Sequence, residues 1–348
     1  MRELNLKNNI KTCIQQNKNT PRIALTLNFS IINPEKYAGE YSLMNRLLLQ
    51  GTTNYSAEEL ATILDENAIE LYTEMKYDYL RFHFVSLNED FEKSLELLAD
   101  IVKNTTFNDF EKERIKFKGE LSAELDSAKI KVSDLFTKNI YKNHYYGGSF
   151  TKVLEEIDNV TVDDVRTSYN NILNNSYKTM SIVGDLDENF AEKLLNKYLS
   201  DIPESKNIQS NILTPQVITS DAVELIKDDA QQAQIIQGWL VPTLGSLDYE
   251  KIMLLNIILG ASGLSSRLFL ELREKKGLAY TVRTSYETHA KSGVFSIYIG
   301  TEPSNIKTSI EGFKVEIEKI KNELVSDAVY NRNQFSTSKI NGLLRDFR

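Results

Sequence analysis

An internal repeat is the feature of this 348-residue chain that most restricts its fold. Arg22–Phe29 alternates apolar and polar residues, as a half-buried strand does, and Ala233–Trp239 repeats the alternation. Each predicted strand is followed by a helix and a turn, Gln50-Gly51-Thr52 in the first case and Gly260–Gly263 in the second. A second helix follows each turn, and Ser56 opens the first of these with a capping box.

The repeat continues with a pair of strands and a long helix. The strand pairs end at Tyr79–Val85 and at Gly293–Ile299. The apolar residues of the helices that follow have a period of 3.6, which indicates one buried face. These residues are Phe91, Leu95, Leu98 and Val102 in the first copy and Ile306, Ile310, Phe313, Ile317 and Ile320 in the second. The repeated unit is strand, helix, helix, strand, strand, helix.

Such a unit buries one face of a sheet under its helices, so we predict an α+β fold. It consists of two homologous layered α/β-sandwich halves, each with an antiparallel-rich sheet covered by helices. A helical stretch near Asp109–Leu135 and a strand at Thr179–Gly184 complete the first half. The predicted domains are residues 1–202, a polar linker at 203–222, and a second half at 223–348.

Composition excludes several classes of function. The net charge of −8 and a pI near 5.2 argue against nucleic-acid binding, which requires a basic surface. The longest nearly apolar run, Ile252–Leu259, is too short to span a membrane, and the first residues do not form a signal peptide. Cys13 is the only cysteine, so no intrachain disulfide can form. We therefore expect a cytoplasmic protein, or a periplasmic one if a signal has been removed.

Two segments carry a resemblance to a known family. One is Ser42-Leu43-Met44-Asn45-Arg46, which precedes Gly51-Thr52, and the other is Ser265–Tyr280, which contains Arg-Glu-Lys-Lys-Gly-Leu-Ala-Tyr. Together they resemble the pitrilysin/insulinase family of inverzincin peptidases, which are similar to mitochondrial processing peptidase. In that family a helix with the motif H-x-x-E-H binds zinc through both histidines, and its Glu is the general base. The resemblance implies two halves arranged as a clamshell around an unfolded peptide.

The zinc motif is degenerate in this chain. Counting back from Gly51-Thr52 places the two histidine positions on Ser42 and Arg46 and the base on Asn45. A hydroxyl and an amide are poor zinc ligands, and a guanidinium repels the ion. The Glu that completes the site in active relatives matches Glu120, which cannot hold zinc alone. We predict no metal in this chain; an alternative interpretation of Glu120 and Glu124 is a solvated row of carboxylates.

Arg273 and Tyr280 match residues that remain functional in the family. The resemblance implies that the Arg engages substrate and that the Tyr donates a hydrogen bond to the carbonyl or the developing oxyanion. Gly277 is expected to end the helix in a left-handed conformation, so both side chains can lie on one wall. The structural alternative treats Arg273 as a surface residue and Tyr280 as a strand residue that packs inward.

No histidine pair offers another zinc site, because His83, His144 and His289 lack the helical spacing of metal ligands. Glu70, Tyr72, Glu74 and Lys76 lie on the strand that resembles the family's substrate edge. An extended peptide could add there as an extra strand. The charges there are also typical of protection against aggregation.

The first functional hypothesis is a zinc-site-deficient subunit of a heterodimeric metalloendopeptidase. An H-x-x-E-H-bearing paralogue would hold the zinc, and this chain would supply the Arg/Tyr wall for a peptide substrate. The alternatives are a non-enzymatic scaffold or peptide-binding protein of the same fold and an independent peptidase with a rebuilt site. Family members usually continue further, so the end of this chain at Leu343–Arg348 predicts an incomplete second half.

Overall fold

The computed structural model describes residues 1–217, 223–225 and 231–325. The strands are β1 (Arg2–Asn5), β2 (Lys11–Gln16), β3 (Arg22–Ser30), β4 (Glu70–Met75), β5 (Tyr79–Leu87), β6 (Lys178–Gly184), β7 (Ala233–Val241), β8 (Ala279–Thr288) and β9 (Gly293–Thr301). The α-helices are α1 (Glu40–Leu47), α2 (Ala57–Glu66), α3 (Phe91–Asn104), α4 (Phe110–Glu124), α5 (Ala128–Ile140), α6 (Phe150–Glu156), α7 (Val162–Asn175), α8 (Glu188–Leu199), α9 (Tyr249–Asn256) and α10 (Ile306–Asn322).

The chain forms two compact units, and each has its own sheet and core. One unit combines residues 1–123 with 150–213, and the other combines residues 124–149 with 214–348. The predicted domain bounds, 1–202, 203–222 and 223–348, remain a prediction about how the chain folds. Part of the predicted linker, residues 218–222, lies outside the described residues, as does the chain end at Leu343–Arg348.

The first unit is built on a six-stranded sheet with the order β1-β2-β6-β3-β5-β4. All neighbouring strands are antiparallel except β2 and β6, which are parallel. The alternation in β3 has the predicted result, because Ile23, Leu25, Leu27 and Phe29 are all at most 1% exposed. Their side chains share one face with Phe82 and Phe84 of β5. The layered α+β prediction is confirmed for this unit.

Helices cover the buried face of that sheet. The α3 residues predicted to face the core, Phe91, Leu95, Leu98 and Val102, are at most 2% exposed. The predicted capping box of α2 is also present: the Ser56 hydroxyl accepts a hydrogen bond from the Glu59 N–H, and the Glu59 carboxylate accepts one from the Ser56 N–H. Local sequence signals and tertiary packing therefore agree in this part of the chain.

The helical stretch predicted near Asp109–Leu135 is two helices rather than one. A turn at Leu125–Ser127 separates α4 from α5, and the two helices belong to different units. The helix α5 packs on β7, where the Phe136 ring lies so close to Gly238 that a Cβ there would be 2.5 Å from it. Sequence periodicity could not reveal this division, because the partner of α5 is about a hundred residues distant in sequence.

The second unit has a three-stranded antiparallel sheet with the order β7-β9-β8. Its core includes Leu268, Leu272, Ile297, Ile299 and Phe313, and Phe313 lies on α10. The repeat is confirmed in order, with two corrections. The first helix of this copy, α9, continues into a π-helical segment, Ile257–Ala261, which includes the first two residues of the predicted turn Gly260–Gly263. The second helix of this copy ends in a π-helical segment, Phe269–Glu274, in which the Lys275 N–H donates to the Leu270 carbonyl. Within the described residues, no helix combines the length and apolar character needed to cross a membrane.

Candidate functional site

The helix α1 carries the three residues predicted to replace a zinc motif. Its apolar residues Leu43, Met44 and Leu47 are fully buried, which turns Ser42, Asn45 and Arg46 away from the centre of the core. Ser42 is exposed, whereas Asn45 and Arg46 are partly buried. The two positions that correspond to histidine ligands therefore lie one helical turn apart on α1.

Arg46 makes the main polar contacts of this site. Its Nη1 and Nη2 atoms donate to Oε2 and Oε1 of Glu120 at 2.9 and 3.1 Å, which is a bidentate ion pair. Its Nε atom donates to Oε2 of Glu113 at 3.2 Å. The guanidinium also lies 5.3 Å from the centre of the Phe117 ring. One cation thus links α1 to two carboxylates of α4.

Glu113 was not identified from the sequence. It is 5% exposed and lies about two helical turns before Glu120 on the same face of α4, with Phe117 between them. The seven-residue spacing of Glu113 and Glu120 was the only sequence signal for Glu113. It indicates that both side chains lie on one face of α4, but not that both bind the same cation. In the structure both carboxylates bind Arg46, and the three side chains form a charged cluster.

Glu120 is paired rather than only solvated. The hydrogen bonds from Arg46 are the main cause of a lowered pKa of the Glu120 carboxyl group, which keeps it ionised. Glu124, one turn further on, is exposed at the end of α4. Glu120 and Glu124 are both exposed, as the alternative interpretation expected, but the Glu120 carboxylate is also paired with Arg46.

The residues at this site do not fit a zinc ion. The guanidinium of Arg46 already takes both oxygens of Glu120, and a zinc ion near them would meet its permanent positive charge. The Oδ1 atom of Asn45 is buried and accepts no hydrogen bond from the described residues, but a single neutral amide is a weak zinc ligand. The described part of the chain contains no group of three or more His, Cys, Asp or Glu side chains placed to hold a metal.

Arg273 and Tyr280 lie together in the second unit. The Arg273 guanidinium is 4.5 Å from the centre of the Phe269 ring and 5.2 Å from the centre of the Tyr280 ring. Gly277 has a φ of +62°, as expected for a left-handed helix end, and its N–H donates to the Arg273 carbonyl at 3.0 Å. This turn reverses the chain and brings the two side chains together.

Tyr280 does not pack inward, because it is 82% exposed. The structural alternative is therefore wrong for Tyr280. Its hydroxyl and the Arg273 guanidinium present two adjacent hydrogen-bond donors on a protein surface. Arg273 also lies within the π-helical segment, a local geometry that is often found at functional sites.

The strand β4 is an edge of the first sheet and lies beside α1. It pairs only with β5 among the described strands, and the Thr73 hydroxyl donates to the Asn45 carbonyl at 3.4 Å. Tyr72 is 50% exposed, and Glu74 forms an ion pair with Arg81 of β5. Lys76 lies just after the strand and also approaches Glu74. An extended peptide paired with this edge would run beside the α1 site.

His144 and His289 lie in one aromatic cluster around Tyr146, whereas His83 lies on β5. The ring of His83 hydrogen-bonds the Thr26 hydroxyl at 2.8 Å, and burial is the main reason why its pKa is lowered. His144 accepts a hydrogen bond from the Tyr146 N–H, and the His289 ring lies 4.4 Å from the Tyr146 ring. These contacts are hydrogen bonds to a hydroxyl and to a backbone N–H and the packing of aromatic rings.

Comparison with protein families gives two matches that together extend over most of the chain. Residues 12–155 match the family described as Insulinase (Peptidase family M16), and residues 159–336 match the one described as Peptidase M16 inactive domain. The second match alone includes half of the sequence.

Individual proteins are similar over much of their length. An uncharacterized zinc protease of Bacillus subtilis, YmxG, is 26% identical over 285 residues, which are 80% of this chain and 68% of that protein. An uncharacterized zinc protease of Streptomyces coelicolor, SCO5738, is 25% identical over 88% of this chain and 68% of its own length.

Solved structures share the fold. The peptidase M16 inactive domain from Pseudomonas fluorescens superposes with a TM-score of 0.86 at 20% identity, over 99% of this chain and 86% of that one. A protease from Helicobacter pylori gives a TM-score of 0.82, also at 20% identity, over 99% and 88%.

Proposed function

Because this chain belongs to the insulinase family of peptidases, M16, we propose that it is a zinc-site-deficient subunit of a heterodimeric metalloendopeptidase. Zinc and the general base reside in an H-x-x-E-H-bearing paralogue. This chain contributes Arg273 and Tyr280 to the binding of a peptide or an unfolded segment.

The observation that carries the proposal is the ion pair of Arg46 with Glu120. In a site that lost its metal without consequence, Glu113 and Glu120 would repel each other or be replaced by neutral residues. Here the Arg46 guanidinium forms hydrogen-bonded ion pairs with both carboxylates, and these contacts hold α1 against α4. The helix that carries metal in active relatives is thereby stabilised without metal, as a non-catalytic subunit requires.

The Arg273–Tyr280 pair supports the same proposal by a different argument. An exposed tyrosine held against an arginine by a glycine turn has no packing role that would require its hydroxyl. Two adjacent donors match the needs of a substrate carbonyl or of the oxyanion that forms when it is attacked. The exposed edge of β4 offers backbone groups for an extended peptide, which also suits a scaffold that binds peptides without cleaving them.

The test is cleavage of a quenched fluorescent peptide by the purified chain alone, by the paralogue alone and by their mixture, with zinc content measured for each. We expect zinc in the paralogue and activity only in the mixture. Arg273→Ala combined with Tyr280→Phe should lower kcat of the mixture ~100-fold or more, as for loss of oxyanion donors. A matched control is Arg166→Ala with Tyr177→Phe, which changes the same residue types elsewhere on the surface.

Three results would contradict the proposal. Stoichiometric zinc and cleavage by this chain alone would mean a rebuilt metal site. A mixture whose activity is unchanged by the double substitution would show that the Arg/Tyr pair has no part in the reaction. If neither the chain nor the mixture cleaves peptide, while the chain binds the peptide intact, the scaffold hypothesis replaces this one.

A further inference from the structure

A largely buried ion pair joins the helix that carries Arg273 to α10. This helix runs from Arg267 to Glu274 and ends in the π-helical segment. The Arg267 Nε atom donates to Oε2 of Glu316 at 3.2 Å, and its Nη2 atom lies 3.2 Å from the same oxygen. The Glu316 side chain is 3% exposed, so this contact is screened by water much less than a surface ion pair.

A second contact holds the same helix against α10. Leu272 is fully buried in the core of this unit, and a Cβ on Gly312 of α10 would be 2.5 Å from its Cδ2 atom. The missing side chain of Gly312 therefore allows the two helices to approach closely. The Arg267 contact lies in the first turn of the helix and the Leu272 contact in the second. Because Arg273 follows Leu272 directly, these two contacts set its backbone position.

The carboxylate of Glu316 binds two cations, and each does something different. Lys319 lies on α10 itself, with its Nζ atom 2.7 Å from Oε1 of Glu316, so it provides charge within one helix. Arg267 provides the contact between the helices. A buried carboxylate adds little to stability, since desolvation offsets much of the attraction. Its charged hydrogen bonds have a defined geometry, however, and so they can fix how one helix lies on another.

Arg273 and Tyr280 come from different kinds of element, so their relative position has two causes. Tyr280 is the extra residue at the shift of register between Ala279 and Thr281, a bulge that redirects its side chain. The position of the Arg273 guanidinium, between the rings of Phe269 and Tyr280, depends instead on the helix. A displacement of this helix along α10 would move Arg273 relative to the strand.

We infer that Glu316 is a positioning residue for Arg273: through Arg267 it fixes the helix and so holds the Arg273 guanidinium against Tyr280. The inference rests on the proposed role of Arg273 and Tyr280 in the reaction, but the position of Arg273 can be measured in this chain alone. Accurate placement matters because a misplacement of about 1 Å can lower a rate ~100-fold.

The first measurement is the Nε–H resonance of Arg273 in NMR spectra of the isolated, isotope-labelled chain, assigned by its loss in Arg273→Ala. Ring currents of the two adjacent aromatic rings should displace this resonance from that of a solvated arginine. Glu316→Gln should move it toward the solvated value. Arg267→Gln should do the same, and it is the second variant because the Arg267 side chain is the more exposed of the two, at 24%.

Two substitutions on α10 are the controls. Lys319→Met removes the other cation of Glu316 and should leave the Arg273 resonance in place, because the contact with Arg267 remains. Glu318→Gln makes the same change as Glu316→Gln at an exposed ion pair and should also have no effect. Circular dichroism checks that each variant is folded. An unchanged Arg273 resonance in Glu316→Gln, or an equal displacement in Lys319→Met, would overturn the inference.

The second measurement is the kcat of the mixture with the H-x-x-E-H-bearing paralogue. Glu316→Gln should lower kcat ~10-fold or more with little change in KM, because it acts through a group that stabilises the transition state. In an Arg273→Ala background it should lower kcat no further, since the group that it positions is gone. A merely structural role would lower kcat equally in both backgrounds.

The outcomes separate this inference from the proposed function. Additive losses in the double variant, or a full kcat in Glu316→Gln, would overturn the inference even if Arg273 and Tyr280 act as proposed. A wild-type mixture that does not cleave peptide would overturn the proposed function instead. The Arg273 resonance would then still decide whether Glu316 holds Arg273 in place.

Discussion

Arg46, at a position where the resemblance places a zinc ligand, carries a permanent positive charge. Zinc would require ligands on α1, whereas a guanidinium needs only acceptors, and α4 offers Glu113 and Glu120. Glu113 depends more than Glu120 on the positive charge of Arg46, because the Glu113 side chain is 7% exposed, whereas that of Glu120 is 45% exposed. The loss of folding stability on removal of Arg46 should therefore come mainly from the buried Glu113 carboxylate.

We predict that Arg46→Met lowers the free energy of unfolding by about 2–4 kcal/mol at neutral pH, because it leaves the buried Glu113 carboxylate with only the exposed and more distant Lys116 as a cation. Urea unfolding followed by circular dichroism measures the change. Glu120→Gln is the matched control: it removes the exposed half of the pair and should cost less than ~1 kcal/mol. Equal losses for the two variants, or a fully stable Arg46→Met, would refute this account of the site.

The sequence located the site residues better than it explained their interactions. Counting back from Gly51-Thr52 assigned Ser42, Asn45 and Arg46 to one helix, and they lie on α1. The ion pair between Arg46 and Glu113 could not be predicted, because it joins helices whose relative position depends on the packing of the whole unit. Motif spacing is local information, whereas the partner of a charge is set by tertiary structure.

At the level of secondary structure, the strands were predictable where one face is buried. The alternation in Arg22–Phe29 predicted the buried face of β3 and its bounds to within one residue, because a shift of one residue would turn Leu25 and Leu27 to the other side. The π-helical segment at Phe269–Glu274 was not predictable, since its residues also suit an α-helix. The boundary between α4 and α5 was missed for a related reason: both sides of the turn favour helix.

The strand β6 begins with a buried lysine that gives a pH-dependent stability. Lys178 is fully buried, and its Nζ donates to the Glu204 carbonyl at 3.0 Å and to the Ser176 carbonyl at 3.4 Å. Burial, with a smaller contribution from the charge of Lys206, lowers its pKa from 10.5 to about 8. A neutral amine keeps two N–H donors for the two carbonyls, so loss of the proton need not break these hydrogen bonds.

We therefore predict that stability rises with pH between about 8 and 10.5 because of Lys178. In this window the unfolded chain holds the proton and the folded chain does not, so higher pH favours the folded state. The gain should be on the order of 2–3 kcal/mol. It is measured as the difference in urea unfolding between wild type and Lys178→Met at pH 7.5, 8.5 and 9.5. Parallel profiles for the two proteins would show that Lys178 titrates as an ordinary exposed lysine.

At the level of the whole molecule, the chain is too long for one core and is divided into two. The first unit is discontinuous in sequence, because residues 124–149 leave it and join the second. The sequence predicted two homologous halves from the repeat but placed this segment in the first half. Hydrophobic periodicity marks the apolar face of α5, not the sheet on which this helix packs.

Separate cores should produce separate unfolding transitions, which two substitutions can assign. Gly238→Ala places a Cβ 2.5 Å from the Phe136 ring and 2.8 Å from the Phe295 carbonyl oxygen, and should destabilise the second unit by about 1–3 kcal/mol. Arg46→Met should lower only the transition of the first unit. Gly119→Ala is the control, because a Cβ there meets nothing within 4 Å and alanine favours the helix α4. In calorimetry, Gly238→Ala should lower only the transition of the second unit, and Arg46→Met only that of the first. A single transition that shifts with both variants would mean that the two cores unfold as one cooperative structure.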